Sequence, residues 1–171
     1  MLSNPRPRVL CVDDDDDCRV MFSTLLRMQL LDVKTVGCSA EALLRIQTER
    51  FDLYSLEARL PDFNGFELCR QIRDIEPHVP ILFFSGAAYE ADRKRGIAAG
   101  ANGYVIKPDI YSLLRSVEYS QRWAKLFHAD NSHGRRSKRS RPFSFEITSV
   151  FIRCHRKRRV ERYFRQPAVF R

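Results

Sequence analysis

Two hydrophobic periodicities alternate along roughly the first 127 residues. Short apolar runs end abruptly in polar residues, and each is followed by a longer stretch in which apolar residues recur at helical spacing. Runs that are apolar throughout are typical of strands buried on both faces of a sheet. The predicted strands cover 8–12, 33–36, 52–56, 81–85 and 103–106, and the last predicted helix covers 110–126. This alternation predicts an α/β fold, a doubly wound five-stranded parallel sheet with helices on both faces.

The pattern ends near residue 127. Residues 128–141 are polar and rich in Gly, Ser and Arg, as linkers are, and the apolar run at 143–152 cannot bury a core alone. We therefore expect a folded domain over 1–127 and a basic, disordered tail over 128–171.

Charge divides the chain at the same point. Residues 131–171 hold 13 Lys/Arg against 2 Asp/Glu, whereas residues 1–130 hold 17 against 19, so the tail accounts for the net charge of +9. No apolar run approaches the roughly 20 residues needed to cross a bilayer. The five cysteines lack metal-ligand spacing and are interpreted as reduced thiols. We expect a cytoplasmic protein without a membrane partner, and the sequence leaves its oligomeric state open.

Polar residues that suit phosphoryl chemistry stand at the carboxyl ends of four predicted strands. Asp13 and Asp14 follow the first strand, Glu57 the third and Lys107 the fifth, while Ser85 ends the fourth. These ends share one edge of a parallel sheet, where ligands bind in such folds. Carboxylates hold Mg²⁺ or accept a phosphoryl group, and a hydroxyl and an ammonium bind its oxygens. An acidic helix N-terminus explains the aspartates equally well alone, but not the other three residues.

Four segments in order resemble the receiver domain of response regulators in bacterial two-component signalling, over about residues 6–127. They read VLCVDDD, LPDFNGFEL, PILFFSG and GANGYVIKP. The resemblance implies a flavodoxin-like fold with strand order 2-1-3-4-5. It also implies a non-enzymatic module of phosphorelay signal transduction, whose partner is a sensor histidine kinase or another signalling protein.

The resemblance assigns roles to individual residues. Asp13 and Asp14 match the metal-binding acidic pair, Ser85 the hydroxyl residue that moves toward the phosphoryl group, and Lys107 the lysine that pairs with it. Tyr104 matches an aromatic residue that rotates inward as the hydroxyl moves, although strand propensity alone explains a half-buried tyrosine equally well. A cis Lys107–Pro108 bond is also implied.

Position 57 departs from the family, which carries its phosphorylated aspartate there. Glutamate adds one methylene, about 1.5 Å of reach, and a misplacement of about 1 Å can cost on the order of 100-fold in rate. We therefore expect no phosphorylation in the usual way and a weakened Mg²⁺ site. Glu57 then either imitates the phosphorylated aspartate or leaves an inactive site on a docking module. A working receiver, with Glu57 or a neighbour such as Asp14 as acceptor, is an alternative.

Two surfaces are candidates for partner contacts. The family signals through the face of its fourth helix, fifth strand and fifth helix, which here includes Arg93, Arg95, Tyr111 and Arg115. A solvated basic surface is the simpler interpretation of each residue.

The tail is the second candidate surface, because its basic clusters would attract nucleic-acid phosphates. A nucleic-acid-binding regulator is therefore an alternative function, although 44 residues are few for a helix-turn-helix domain and a solvated tail is simpler. The residues proposed for these contacts are Arg135, Arg136, Arg156, Lys157, Arg158 and Arg159.

Overall fold

A computed structural model describes residues 6–131, and for 122–131 it describes the backbone alone. Five parallel strands form one sheet in the order β2-β1-β3-β4-β5, which confirms the predicted topology. The strands are β1 (Arg8–Val12), β2 (Asp32–Val36), β3 (Leu53–Leu56), β4 (Ile81–Ser85) and β5 (Gly103–Ile106). The helices are α1 (Asp16–Met28), α2 (Ser39–Thr48), α3 (Gly65–Ile75), α4 (Glu90–Ala98) and α5 (Ile110–Asn131).

The sheet is buried on both faces. Alternate residues of β1 point into two separate apolar clusters: Leu10 and Val12 into one, Val9 and Cys11 into the other. The first cluster also contains buried residues of α2 and α3, and the second contains those of α1 and α5. Burial on both sides explains why the strands are apolar throughout.

Strand register aligns the residues that follow the strands. Val12, the last residue of β1, pairs with Leu56, the last residue of β3, and Ser85 of β4 pairs with Ile106, the last residue of β5. Asp13 and Glu57, the next residues along these two strands, are therefore neighbours at one edge of the sheet. Lys107 follows Ile106 in the chain and so lies just past Ser85 on the neighbouring strand.

Carboxylate and amide side chains fix the loops at this edge. Asn64 caps α3 by accepting a hydrogen bond from the backbone N–H of Glu67 at 2.9 Å. Asp62 reaches across to the N-terminus of α2 and accepts from the backbone N–H groups of Ser39 and Ala40 at 3.0 and 2.8 Å. Asp62 and Asn64 thus anchor the second half of the loop between β3 and α3.

The last helix is longer than predicted. Helix α5 continues to Asn131, five residues beyond the predicted end at 126, because no glycine or proline interrupts the chain before Gly134. The predicted domain boundary at 127 consequently falls inside this helix. The disorder expected for the tail, and the nucleic-acid contacts proposed there, concern positions beyond 131 and lie outside the described residues. Within residues 6–131, no helix has the length and apolar character needed to span a bilayer.

Candidate functional site

Three charged side chains meet at the carboxyl edge of the sheet. The Lys107 ammonium lies 2.7 Å from Oδ2 of Asp13 and 2.8 Å from Oε2 of Glu57. We call these three residues the carboxylate–lysine cluster. Asp13 and Glu57 are buried, and the Lys107 side chain is only 18% exposed, so the cluster is largely shielded from solvent. Screening by salt is weak in such a setting, and the two contacts hold Lys107 firmly between the carboxylates.

The second oxygen of Glu57 is also fully engaged. Oε1 accepts hydrogen bonds from the Ser85 hydroxyl and from the backbone N–H groups of Ala58 at 2.7 Å and Arg59 at 3.2 Å. The carboxylate thus receives donors from β4, from the segment after β5 and from its own loop. This set of donors is suited to an anion with several oxygen atoms.

Burial and hydrogen bonding act against each other in the cluster. Burial opposes ionisation of Glu57, but the hydrogen bonds from Lys107 and Ser85 outweigh it and lower the pKa of Glu57 below its ordinary value. For Asp13 burial prevails, and its pKa is raised despite Lys107. Burial alone would lower the pKa of Lys107, but its bonds to Asp13 and Glu57 raise it. Glu57 and Lys107 are therefore charged at neutral pH.

A short hydrogen-bonded relay connects Glu57 to Tyr104. Ser85, which donates to Glu57, accepts from the backbone N–H of Ala87 at 3.0 Å. The carbonyl of Ala87 in turn accepts from the Tyr104 hydroxyl at 2.8 Å. The Ala87 residue, bonded through both its N–H and its C=O, is therefore the link between the carboxylate and the aromatic ring.

Tyr104 points into the protein. Its side chain is 7% exposed, and its ring stacks on Phe83 at a centroid distance of 5.3 Å and an interplanar angle of 25°. Gly96 of α4 provides the space, because a Cβ there would lie 2.9 Å from Tyr104 Cδ2 and 3.0 Å from Phe83 Cδ2. The structure thus places Tyr104 in the inward orientation.

The backbone around the cluster is closely packed. The Lys107–Pro108 bond is cis, as the resemblance implied. Gly65 begins α3 against the end of β3, where its N–H donates to the carbonyl of Ala58 at 2.9 Å and a Cβ would overlap the carbonyl oxygen of Glu57. Gly65, the glycine of the segment LPDFNGFEL, therefore has a packing role that the sequence did not predict.

The two predicted aspartates differ in exposure. Asp14 is exposed to solvent, whereas Asp13 is buried. Oδ1 of Asp13 accepts from the backbone N–H of Asp15 at 3.1 Å, so each oxygen of Asp13 and Glu57 has a donor. Among the side chains of residues 6–121, no three His, Cys, Asp or Glu are grouped to hold a metal. The donor set, as it is arranged, does not fit a divalent cation.

The predicted partner-face residues lie on α4 and α5. The Arg93 guanidinium is 3.7 Å from Glu90, and that of Arg95 lies over the Phe66 ring at 4.6 Å. On α5, Tyr111 is exposed and the Arg115 guanidinium lies 5.7 Å from the centre of its ring. The four side chains are thus present at the surface, although Arg95 also packs on the core.

Residues 9–118 match the family model of the response regulator receiver domain. This match covers more than half of the chain and agrees with the sheet order, so the chain belongs to the response regulator receiver domain family. Receiver domains are signalling modules, generally not enzymes, of two-component response regulators, and they typically bind Mg²⁺ at an acidic phosphorylation site.

Curated relatives match the receiver part only. The chain is 35% identical over 103 residues to the DNA-binding response regulator MtrA of Mycolicibacterium smegmatis, which covers 60% of this chain and 45% of MtrA. It is 34% identical over 104 residues to the phosphate regulon transcriptional regulatory protein PhoB of Rhizobium meliloti, a match that covers 60% of this chain and 46% of PhoB. The chain therefore spans less than half the length of these relatives.

Solved receiver domains in two states resemble this chain equally. The BeF3-activated receiver domain of DrrB matches with a TM-score of 0.64 and 29% identity, over 69% of this chain and 99% of that one. The non-phosphorylated receiver domain of HemR from Leptospira biflexa matches with a TM-score of 0.63 and 32% identity, over 67% and 94%. The overall fold consequently does not distinguish signalling states, and the side chains of the site must do so.

Proposed function

We propose that this chain is a receiver module of two-component signal transduction in which Glu57 replaces the phosphorylated aspartate and imitates it. One observation carries the proposal: the Glu57 carboxylate contacts Ser85 and Lys107 at the same time, and the relay from Ser85 ends at an inward Tyr104. The module acts through protein–protein contacts and needs no phosphoryl group to hold this arrangement.

The alternative of an inactive site accounts less well for the contacts. A site without a role would not require the longer carboxylate to meet both Ser85 and Lys107, nor Ala87 to connect Ser85 with Tyr104. The imitation is nevertheless partial, because an acyl phosphate brings nearly two charges and three acceptor oxygens. A carboxylate brings one charge and two oxygens.

A working phosphoacceptor is disfavoured by the same contacts. In-line attack requires a free lone pair on a carboxylate oxygen directed at the phosphorus. Oε1 of Glu57 already accepts three hydrogen bonds, and the charge of Oε2 is offset by the Lys107 ammonium at 2.8 Å, which makes the remaining lone pair of Oε2 a weaker nucleophile. For the same reason we propose that Glu57 weakens Mg²⁺ binding at Asp13 and Asp14.

Treatment with acetyl phosphate and Mg²⁺, followed by intact mass measurement, tests this proposal. The wild-type chain should gain no phosphoryl group. The Glu57→Asp variant should gain one, because the shorter side chain restores the family's acceptor within an otherwise unchanged pocket. Phosphorylation of the wild-type chain at Glu57 or at Asp14 would overturn the proposal.

Partners follow from the family and the surface. A sensor histidine kinase or another signalling protein in the cytoplasm is the proposed partner, and the face with Arg93, Arg95, Tyr111 and Arg115 is the proposed contact surface. The charge-reversed variant Arg115→Glu should weaken capture of that partner, while the exposed Glu118→Gln on the same helix serves as a control.

Nucleic-acid binding is a second candidate function. The observation that favours it is the net charge of +11 over residues 131–171, together with relatives that are themselves DNA-binding regulators. The full chain should retain duplex DNA at low salt without sequence preference, and each phosphate contact should contribute about 0.9 to the slope of log affinity against log salt. A chain ending at residue 131 should lose this retention. Equal retention by both chains would exclude the tail.

A further inference from the structure

The position of the Lys107 ammonium raises the question of what neutralises the two buried carboxylates. Nζ lies between Asp13 and Glu57, 2.7 Å from the first and 2.8 Å from the second. Nζ also lies over the Phe84 ring, 5.7 Å from its centroid. The ammonium therefore occupies the point where the negative charges of β1 and β3 converge.

A divalent cation would need the same oxygens. Mg²⁺ requires oxygen ligands at about 2.0–2.1 Å in a near-octahedral arrangement. Oδ2 of Asp13 and Oε2 of Glu57, the two oxygens that face each other, both accept from Lys107. A metal at that point would have to displace Lys107, whose charge would then remain close by in a poorly solvated position.

The other oxygens of the two carboxylates are engaged as well. The remaining oxygens of Asp13 and Glu57 accept backbone N–H groups or the Ser85 hydroxyl. Asp14 is exposed to solvent. A cation would thus have to break several hydrogen bonds before it could gather even two carboxylates.

From these contacts we infer that Lys107 serves as the resident cation of this site, so that the inward Tyr104 arrangement is independent of Mg²⁺. The inference rests on the proposed function and adds its regulation. Signalling by this module responds neither to phosphorylation nor to divalent cations, because the positive charge between the two carboxylates is carried by the chain itself.

Titration of the full chain with Mn²⁺, followed through the EPR signal of the free ion, tests the inference. Lys107→Met keeps the length of the stem and removes the charge, and Lys94→Met removes an equal charge from an exposed position on α4. Removing a unit charge within about 4 Å of a cation should raise Mn²⁺ affinity on the order of 10-fold or more. We expect this gain in Lys107→Met, and no gain in Lys94→Met.

A second variant covers a failure of Lys107→Met to fold. Glu57→Asp withdraws the carboxylate from Lys107 and Ser85, and it should likewise bind Mn²⁺ at least about 10-fold more tightly than the wild type. Wild-type affinity equal to that of these variants would overturn the inference. A wild type that binds Mn²⁺ tightly, yet gains no phosphoryl group from acetyl phosphate, would overturn this inference alone and leave the proposed function intact.

Discussion

The side chain of Glu57 spans the gap between the end of β3 and two neighbouring strands. Its carboxylate meets Ser85 at the end of β4 and Lys107 just beyond β5. An aspartate at this position would reach about 1.5 Å less, so its carboxylate would lie farther from Ser85 and Lys107. The extra methylene thus brings the carboxylate to both partners.

The ionisation of Glu57 should make stability depend on pH. Because its pKa is lowered by folding, its stabilising contribution is present above its ordinary pKa of about 4.3 and is lost as the pH falls below that value. Folding raises the pKa of Asp13, so Asp13 makes stability fall as the pH rises from its ordinary pKa to the raised one. Comparison with Glu57→Gln measures the effect of removing the Glu57 charge, including its effect on Asp13.

Urea unfolding between pH 7 and pH 3 measures that difference. At pH 7 the wild type should exceed Glu57→Gln by about 1–3 kcal/mol, as expected for hydrogen bonds to a charged group. The difference should shrink as the pH falls below about 4. A difference that stays constant to pH 3 would mean that the Glu57 charge contributes nothing to the folded state.

The polar side chains at the ends of the strands could be predicted from the sequence. The backbone N–H groups that donate hydrogen bonds in the site could not. Asp13, Glu57, Ser85 and Lys107 were identifiable because the apolar runs stop there and parallel strands share an edge. Asp14 was predicted at the same edge and is exposed to solvent, whereas Asp13 is buried. The N–H groups of the loop after β3, and the Ala87 peptide group, act through the backbone, so residue type gave no signal for them.

At the scale of elements, helix α4 shapes the pocket of Tyr104. Gly96 is the buried residue of this helix, and its missing side chain lets the Tyr104 and Phe83 rings approach the helix backbone. Helix propensity disfavours glycine by about 1 kcal/mol relative to alanine. Glycine stands here despite its low helix propensity because the inward Tyr104 ring occupies the space that a side chain would fill.

Gly96→Ala should therefore reduce stability rather than raise it. Crowding of a packed core costs about 1–3 kcal/mol, which exceeds or cancels the gain in helix propensity, and the Tyr104 ring should move outward. Gly86→Ala is the matched control, because a Cβ there meets nothing within 4 Å. Urea unfolding of the two variants decides the point. A Gly96→Ala variant that is more stable than wild type would show that the ring does not depend on this space.

Element boundaries were predicted to within about one residue for the strands, because burial on both faces leaves a sharp change from apolar to polar residues. The end of α5 was predicted five residues early. Its last turns lose the apolar periodicity but contain no residue that breaks a helix. Periodicity marks where a helix packs, and it does not mark where the backbone stops being helical.

At the scale of the whole molecule, the chain combines a receiver domain with a basic segment of different character. The relatives MtrA and PhoB are more than twice as long as the matched region, so their receiver domains are joined to a further part that this chain does not match. Composition alone distinguished the two parts here, because the excess of positive over negative charge is confined to residues 131–171.

The receiver domain should fold independently of the basic segment. Both apolar clusters are formed entirely by residues 9–117, so deletion of 132–171 removes none of the described core. The midpoint of thermal unfolding should change by less than about 4 °C, which corresponds to under about 1 kcal/mol for a domain of this size. A larger loss would show that the segment packs on the domain.

The orientation of Tyr104 tests the central claim, that Glu57 holds the switched arrangement without phosphorylation, most directly. Fluorotyrosine labelling and ¹⁹F NMR resolve it, with Tyr104→Phe used to assign the signal among the six tyrosines. Wild type should show a buried signal that acetyl phosphate leaves unchanged. Glu57→Gln should show an exposed one, and Glu57→Asp an exposed one that becomes buried after acetyl phosphate. A buried signal in Glu57→Gln, unchanged from wild type, would contradict the claim.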